Sequence, residues 1–283
     1  MPGSKTLSAE PVRKAVVVTH GRPEVIGQAL GRLENVARES DVEVMYPADE
    51  AEKHERASDG DPAQANIVVV LGGDGTMLRA LQRTLGTGTP VTGVNFGDVG
   101  FLTSISADDL EHGLARVFAG DHVVVELPTL DAEVGGERHA AVNDVVVASS
   151  IVGRMIELGW GIGGEDLGVQ PCDGVICSTP SGSTGYNLSN GGPVLVWGLD
   201  AQALTFIAPH SLHARPLVVP RGRDVEIENR TVDVPAQVLV DGRPIAELGT
   251  GDVVVARLSE QSTLLAHLPE STFFRRYKET FAS

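Results

Sequence analysis

The spacing of hydrophobic positions changes character near residue 120. Between Lys14 and Gly120, short apolar runs alternate with stretches of helical periodicity, which is typical of an α/β layer built on a parallel sheet. The pattern predicts strands at Ala15–Thr19, Val42–Met45, Ile67–Leu71 and Val91–Asn95, and helices at Glu24–Glu39, Met77–Leu85 and Asp108–Ala119. The acidic segment Pro47–Ala65 holds no clear strand, so we expect a mobile surface loop there.

Beyond Asp121 the chain turns to short Val-rich runs separated by Gly, Asp, Asn and Pro. Such spacing predicts strands at His122–Leu127, Ala140–Ala148, Arg154–Trp160, Gly174–Ser178, Leu204–Ala208, Gln237–Val240 and Val253–Arg257. Asp241-Gly242, inside the run Val238–Ile245, predicts a hairpin because these residues tolerate the positive φ angles of a two-residue turn. Helical character returns at Ser271–Thr280, with a basic cluster of Arg275, Arg276 and Lys278.

Together these patterns predict two domains of different class. Residues 12–120 form an α/β, Rossmann-like nucleotide-binding domain, and residues 121–267 form a β-rich domain of the β-sandwich type. We expect the C-terminal helix to return to the first domain, so that residues 268–283 complete it. The length of 283 residues suits this division, because single domains usually span roughly 100–200 residues.

Composition narrows the function classes. With 38 acidic and 22 basic residues the net charge is −16, which argues against binding to nucleic acid or to anionic membranes. No stretch approaches the roughly 20 apolar residues of a membrane span, and Met1–Pro11 lacks the apolar core of a signal peptide and predicts a loose tail. The two cysteines, Cys172 and Cys177, fit small buried residues in a reducing cytoplasm.

The strongest local signal follows the predicted strand Ile67–Leu71. It is the run Gly72, Gly73, Asp74, Gly75 and Thr76, which leads directly into a helix. In an open parallel sheet, ligands bind beyond the carboxyl ends of the strands, and glycines allow the backbone to approach phosphates closely. Asp74 is placed to act as a general base or a metal-bound carboxylate. The alternative is a simple tight turn; the spacing fits neither a Walker A loop nor a GxGxxG fingerprint.

A second candidate region runs from Asp173 to Pro193. Seven hydroxyl side chains lie between Ser178 and Ser189, interleaved with glycines, and Tyr186 offers a flat face for a base. These groups suit sugar hydroxyls or phosphate oxygens, although a Ser/Gly-rich segment is also typical of a flexible linker. A serine hydrolase is disfavoured because Gly-x-Ser-x-Gly is absent.

A third, weaker signal is Asn143-Asp144, which opens the apolar run Val145–Val147. An amide beside a carboxylate supplies donors and acceptors for the edge of a base or a ribose diol. The same dipeptide is equally ordinary turn chemistry.

In combination, these motifs resemble the NAD kinase family over nearly the whole chain. The matching segments, in order, are Gly72–Thr76, Gly93–Gly97, Gly100–Leu102, Asn143-Asp144, Asp173–Ser189, Pro209–Leu212 and Arg215-Pro216. Their co-occurrence is far more specific than Gly-Gly-Asp-Gly alone, which also marks diacylglycerol, sphingosine and phosphofructo-kinases.

The resemblance implies transfer of the γ-phosphoryl group of ATP to the 2′-hydroxyl of the adenosine ribose of NAD, giving NADP, with polyphosphate as a possible donor. It implies a site in the cleft between the domains, a NAD-binding second domain, Asp74 as the base, and Mg²⁺ bound mainly through the ATP phosphates. It also implies a cytoplasmic homodimer or homotetramer.

The resemblance further implies a set of binding residues, which fall in three groups. Around Asp74 lie Gly72, Gly73, Gly75, Thr76 and Asn95; the dinucleotide contacts are Asn143, Asp144, Asp173, Ser181, Thr184, Gly185, Tyr186, Asn187 and Ser189; Phe101 lies near the adenine, and Arg79 and Arg154 are basic contacts. Three positions depart from the common family pattern, namely Asp98, Gly185 and Arg243, and they bear on donor and acceptor preference.

Two other functions stay open at this point. A lipid kinase of the same superfamily would need an apolar entrance, which the acidic composition and 12 aromatic residues disfavour. A non-catalytic nucleotide sensor would need no base, so the presence of Asp74 favours the enzyme.

Overall fold

A computed structural model describes residues 10–58, 60–97, 100–211 and 213–281. Most of the predicted tail Met1–Pro11, together with Asp98 and Leu212, lies outside the described residues. The chain divides into two compact units: one comprises the residues up to Leu127 and those from Thr263 onward, and the other comprises Pro128–Ser262.

Helices and strands are numbered here in chain order. The helices are α1 Ala29–Glu39, α2 Ala48–His54, α3 Asp74–Arg83, α4 Leu110–Phe118, α5 Tyr186–Ser189 and α6 Phe273–Phe281. The strands are β1 Lys14–Thr19, β2 Glu43–Met45, β3 Ile67–Gly72, β4 Pro90–Asn95, β5 Ile105–Ser106, β6 Val123–Val134, β7 Glu137–Ala141, β8 Asp144–Ser149, β9 Ile156–Ile162, β10 Glu165–Cys172, β11 Gly174–Ser178, β12 Ala201–Ile207, β13 Leu217–Pro220, β14 Val225–Asn229, β15 Ala236–Val240, β16 Arg243–Leu248 and β17 Val253–His267.

The first unit is built on a parallel sheet with the order β2-β1-β3-β4, and the end of β17 pairs with β4. Both faces of β1 and β3 are buried, which explains why these strands are continuous apolar runs rather than alternating ones. Thr19 pairs with Leu71 and Gly72 pairs with Asn95. The carboxyl ends of β1, β3 and β4 therefore meet at one edge of the sheet.

Two predictions for this unit are wrong. Pro47–Ala65 is not a loop throughout, because it contains α2. This helix is short and carries Asp49 and Glu50 in its first turn and Lys53 in its last, where these charges interact favourably with the helix dipole. It has no apolar stripe, so the hydrophobic pattern does not reveal it. The predicted helix Glu24–Glu39 becomes regular only at Ala29, after Gly27 takes a φ of +51°.

The second unit is a β-sandwich, so the predicted fold class is confirmed. Its first sheet is antiparallel, in the order β13-β12-β11-β8-β15-β16. The other sheet contains β10, β9, β14 and the first part of β17. Buried side chains from both sheets, among them Val145, Val175, Leu204, Ile227 and Val254, form one apolar core.

The predicted hairpin between β15 and β16 is also confirmed. Val240 pairs with Arg243, and the two turn residues Asp241 and Gly242 have φ angles of +48° and +76°. Positive φ at both central residues is the signature of the turn that matches the twist of antiparallel strands. The turn brings the Asp241 side chain to the start of β8, as the site geometry shows.

Candidate active site

The Gly-Gly-Asp-Gly segment forms the junction of β3 and α3. Strand β3 ends at Gly72 and α3 begins at Asp74, three residues earlier than the apolar pattern indicates. A Cβ at Gly72 would lie 2.5 Å from Thr76 Oγ1, so glycine is needed for the chain to fold back onto the helix. The segment thus presents backbone rather than side chains at the carboxyl edge of the sheet, where ligands of such sheets bind.

The Asp74 carboxylate is held by a second segment of the first unit. Its Oδ2 accepts a hydrogen bond of 2.8 Å from the Phe101 backbone N–H, and its Oδ1 accepts one of 3.0 Å from the Leu102 backbone N–H. A Cβ at Gly100 would lie 2.8 Å from Oδ1, so the loop approaches the acid as closely as its atoms allow. Two backbone donors leave further lone pairs on the carboxylate that can accept a proton.

Asn95 lies beside this acid at the end of β4. Its backbone pairs with Gly72, and its Oδ1 accepts a 3.1 Å hydrogen bond from the Gly97 N–H. A Cβ at Gly73 would lie 4.0 Å from the same oxygen. The structure therefore brings the predicted residues Gly72, Gly73, Asp74 and Asn95 together.

Phe101 contributes its backbone to the site while its ring points inward. The ring lies 5.3 Å from that of Phe273 and 6.0 Å from that of Phe281, both on α6, and the residue is only 4% exposed. The predicted position of this ring beside an adenine stays a prediction, because the ring is enclosed by α6 here.

Arg79 belongs to a charged cluster at the carboxyl end of β1. Its guanidinium donates to the Thr19 carbonyl and lies 3.3 Å from Oε1 of the fully buried Glu50. Lys53 Nζ is 2.8 Å from Glu50 Oε2, so two cations share one carboxylate. The Arg79 Nε is buried and has no hydrogen-bond partner among the described residues. Arg79 is thus fixed at the carboxyl edge of the sheet, although its contact with a ligand stays a prediction.

Sequence reasoning missed Glu50 and Lys53, which lie in the segment taken for a loop. The available signal was the spacing of opposite charges three residues apart, which places them on one face of a helix. That signal is weak in a stretch as rich in acidic residues as 48–61.

In the second unit, Asp241 organises the Asn143-Asp144 turn. Its carboxylate accepts hydrogen bonds from three consecutive backbone N–H groups, those of Val142 at 2.9 Å, Asn143 at 2.7 Å and Asp144 at 3.1 Å. The Asn143 Oδ1 is buried and lacks a hydrogen-bond partner among the described residues. A buried acceptor without a partner is costly, so this oxygen is a natural contact for a ligand donor.

Asp144 is a buried carboxyl with an altered acidity. Its burial, together with the nearby charge of Asp241, raises its pKa from 3.8 to about 7. Near neutral pH this carboxyl can therefore either donate or accept a hydrogen bond. Asp241 itself was recognised in the sequence only as a turn residue.

The hydroxyl-rich segment 178–189 divides into an inner and an outer part. Ser181 Oγ donates to the Val142 carbonyl, and the buried Asn187 amide donates to the carbonyls of Ser183 and Pro193. A Cβ at Gly182 would lie 2.2 Å from the Asn143 carbonyl oxygen, so glycine lets this segment lie directly against the Asn143 turn.

The outer part of the segment faces solvent. It consists of the half-buried Thr184 and the exposed Gly185, Tyr186 and Ser189. These groups, rather than the inner hydroxyls, are accessible to a ligand. The inner hydroxyls instead form the hydrogen bonds that hold the segment's shape.

Two predicted contacts are not brought to this turn. Asp173 is exposed, and its backbone carbonyl accepts a hydrogen bond from the N–H of Ser149 at the far end of β8. Arg154 is exposed in the turn that follows. Because β8 spans six residues, that end lies roughly 20 Å from Asn143 along the strand.

Neither a metal cluster nor a membrane span is found in the part of the chain that the structure describes. No group of three or more His, Cys, Asp or Glu side chains there could hold a metal ion. Likewise, no described helix has the length and apolar character needed to cross a membrane.

An acid fixed among glycines at a sheet edge, combined with a β-sandwich, defines a class of two-domain phosphotransferases. Comparison with known proteins agrees. Residues 12–122 match the ATP-NAD kinase N-terminal domain, and residues 142–268 match the ATP-NAD kinase C-terminal domain. The chain belongs to the NAD kinase family.

Relatives and solved structures support this assignment. The chain is 41% identical over 221 residues to an NAD kinase of Heliobacterium modesticaldum, covering 76% of this chain and 78% of the relative. It is 39% identical over 238 residues to an NAD kinase of Gemmatimonas aurantiaca, covering 81% of each.

Two solved structures share the fold. An NAD kinase from Archaeoglobus fulgidus in complex with ATP gives a TM-score of 0.75 at 27% identity, covering 95% of this chain and 97% of that one. Yeast NADH kinase complexed with NADH gives a TM-score of 0.85 at 23% identity, covering 100% of this chain and 92% of that one.

Proposed function

We propose that this protein transfers the γ-phosphoryl group of ATP to the 2′-hydroxyl of the adenosine ribose of NAD. The bond from the 2′-oxygen to phosphorus forms, the bond from phosphorus to the β,γ-bridging oxygen breaks, and the products are NADP and ADP. The observation that carries the proposal is the Asp74 carboxylate, held by two backbone N–H groups among glycines at the carboxyl edge of the sheet. Solved relatives bound to ATP and to NADH support the two substrates.

Asp74 acts as the general base in this proposal. Phosphoryl transfer depends mostly on positioning and on neutralising charge, and the ribose hydroxyl needs an acceptor for its proton only as the new bond forms. A carboxylate fixed by two donors needs little reorganisation when the hydroxyl arrives, which favours an in-line geometry. The proton of the 2′-hydroxyl goes to a lone pair of Asp74 that the backbone does not use.

The second unit supplies the dinucleotide contacts. The unpartnered Oδ1 of Asn143 and the carboxyl of Asp144 suit the ribose hydroxyls and the base edge. Thr184, Gly185, Tyr186 and Ser189 supply the accessible outer contacts, whereas Ser181 and Asn187 act through the shape of the segment. Asp173, Arg154 and Phe101 are kept as proposed contacts of the same dinucleotide.

The donor is proposed to be ATP carrying its own divalent cation, MgATP. Mg²⁺ is bound in many phosphotransferases mainly through the phosphates of the nucleotide, and we propose the same here. Arg79, with its unpartnered Nε, is the proposed basic contact for phosphate. Polyphosphate shares this phosphate chemistry and is retained as an alternative donor.

We also propose a cytoplasmic homo-oligomer. Two buried free cysteines suit a reducing compartment. Exposed apolar side chains on the edge strands β10 and β13, Leu167, Leu217 and Val218, favour pairing with a second copy. Light scattering at micromolar concentration is expected to give a dimer or tetramer, and a pure monomer would contradict it.

One experiment tests the proposed activity. The purified protein is incubated with NAD, ATP and Mg²⁺, and NADP is measured. Asp74→Asn should lower kcat by roughly 10²–10⁴-fold while NAD affinity changes little, because the general base is lost and the binding residues are kept. Asp41→Asn makes the same change at an exposed aspartate and serves as the matched control. If the parent binds NAD but makes no NADP, the protein is a nucleotide sensor and the proposal is wrong.

A further inference from the structure

Arg276 is a buried cation whose guanidinium reaches the loop that holds Asp74. It lies on α6, it is 6% exposed, and its guanidinium NH1 donates to the backbone carbonyls of Phe101 at 3.0 Å and of Thr103. Its Nε donates to the Ser271 carbonyl at 3.4 Å. Burying a guanidinium is costly, so hydrogen bonds such as these are needed to hold it in place.

The loop that Arg276 contacts also holds Asp74. Phe101 accepts the Arg276 hydrogen bond with its carbonyl oxygen and donates its N–H to Asp74 Oδ2. Leu102, the next residue, donates its N–H to Asp74 Oδ1. The loop therefore joins the guanidinium on α6 to the carboxylate on α3 through the two faces of a single short backbone segment.

Electrostatics link the same two side chains. Burial lowers the pKa of Arg276 to about 10, and the charge of Asp74 acts in the opposite direction by favouring the charged guanidinium. Polarised carbonyls on one side of a peptide group also strengthen the N–H donor on the other side. Because the Phe101 carbonyl and the Leu102 N–H belong to one peptide group, the cation reinforces the bond from Leu102 to Asp74.

We propose that Arg276 is a positioning residue for the base Asp74, acting through the loop at residues 100–103. The inference rests on the proposed function, since it concerns the rate of the reaction assigned above. The guanidinium holds the carbonyls of Phe101 and Thr103, so that the N–H groups of Phe101 and Leu102 keep pointing at the Asp74 carboxylate.

Other contacts hold the loop against α6 when the Arg276 guanidinium is removed. The Phe101 ring packs against Phe273 and Phe281 of α6 independently of the guanidinium. Ser271 Oγ also donates to the Ser104 carbonyl at 3.3 Å. A change at Arg276 should therefore disturb the aim of the N–H groups more than the fold of the unit.

The test compares two adjacent arginines on the same helix. Arg276→Gln removes the guanidinium from the loop, whereas Arg275→Gln removes an exposed guanidinium that pairs with Glu279 on the same helix. In steady-state assays of NADP formation, Arg276→Gln should lower kcat by about 10- to 100-fold and leave the KM for NAD within about threefold. Arg275→Gln should leave both parameters unchanged.

If Arg276 acts through Asp74, the effects of Arg276→Gln and Asp74→Asn on kcat should not add. In an Asp74→Asn background, adding Arg276→Gln should lower the residual kcat by less than about threefold, because the residue it positions has already gone. A further loss of 10-fold or more there would mean that Arg276 acts on something other than Asp74 and would overturn the proposal.

If Arg276→Gln does not fold, as judged by circular dichroism and thermal unfolding, Arg276→Lys replaces it. Hydrogen exchange of the Phe101 and Leu102 amides is then compared with that of the parent protein. Faster exchange at these two amides, with slower turnover, supports the proposal; parent-like exchange or parent-like kcat contradicts it. A parent protein that makes no NADP would instead refute the proposed function, and the exchange measurement would still decide whether Arg276 holds the loop.

Discussion

The two units hold their key carboxyl groups in opposite ways. In the first unit, Asp74 is half-buried and anchored by two backbone N–H groups from a neighbouring loop. In the second unit, Asp144 is buried beside Asp241, and it is Asp241 that takes the three backbone N–H groups. The comparison teaches that backbone donors can either fix the reacting acid itself or fix a supporting acid, which then tunes its neighbour.

The largest expected effect concerns Asp144, whose raised pKa makes the stability of the protein depend on pH. Because the pKa of Asp144 rises from 3.8 in the unfolded chain to about 7 when folded, ionising it costs stability as the pH rises from about 4 to above 7. Asp144→Asn removes this cost and should raise the free energy of unfolding at pH 8 by up to about 4 kcal/mol, with little change at pH 4.

Urea unfolding at the two pH values measures this difference. The exposed Asp233→Asn is the matched control and should show no such pH dependence. Equal stabilities of the parent and Asp144→Asn at pH 8 would show that Asp144 is not held as described.

The next largest effect is expected where the loop at residues 100–103 holds Asp74. Gly100→Ala would place a Cβ 2.8 Å from Asp74 Oδ1 and 2.6 Å from Thr103 Oγ1, so the loop must move away from the acid. We expect kcat to fall by about 100-fold, since a displacement of this size at a reacting group costs about that much. Gly31→Ala, in α1 with open space around the new methyl group, should keep full activity. Parent-like turnover in Gly100→Ala would separate the loop from catalysis.

A smaller effect is expected at the supporting acid of the second unit. Asp241→Asn replaces one acceptor oxygen with an NH₂ group that cannot accept, so the Asn143-Asp144 turn loses some of its hydrogen bonds to residue 241. The KM for NAD should rise about 10-fold while kcat changes less, because the role proposed for the turn is to bind substrate and not to react. A fall in kcat with an unchanged KM would assign Asp241 to the chemical step instead.

The smallest effect contrasts the pH response of the first unit with that of the second. Burial lowers the pKa of His267, and burial also lowers the pKa of His122, so folding favours the neutral form of both side chains. Their contribution to stability is present above about pH 6.5 and is lost as the pH falls below it, opposite to the trend for Asp144. His267→Gln should flatten the decline of stability between pH 7 and pH 5. An unchanged acid decline in urea titrations would exclude His267 as its source.

The sequence predicts what local pattern controls. Strands β1, β3 and β4, the Asp241-Gly242 hairpin and the glycine-framed acid all follow from short runs whose own residues dictate the backbone. The segment around α2 escaped prediction because a seven-residue helix with a single buried apolar position has no periodic stripe.

What escaped prediction in the site depends on partners distant in sequence. Asp241 meets N–H groups 97 to 99 residues away, and Arg276 meets carbonyls 173 and 175 residues away. The sequence marked Arg276 only as one of three basic residues near a helix. Arg276 lies on the same helix face as the buried Phe273, but an arginine is ordinarily expected at the surface, so the sequence did not single it out from its exposed neighbour Arg275.

A crystal structure with NAD and a non-hydrolysable ATP analogue tests the central claim most directly. The quantity to measure is the distance from the nearer Asp74 carboxylate oxygen to the 2′-oxygen of the adenosine ribose. We expect about 2.6–3.2 Å, the range of a hydrogen bond between a general base and its substrate hydroxyl. A 2′-oxygen more than about 5 Å from Asp74, with no water between them, would contradict the role of Asp74 as the base.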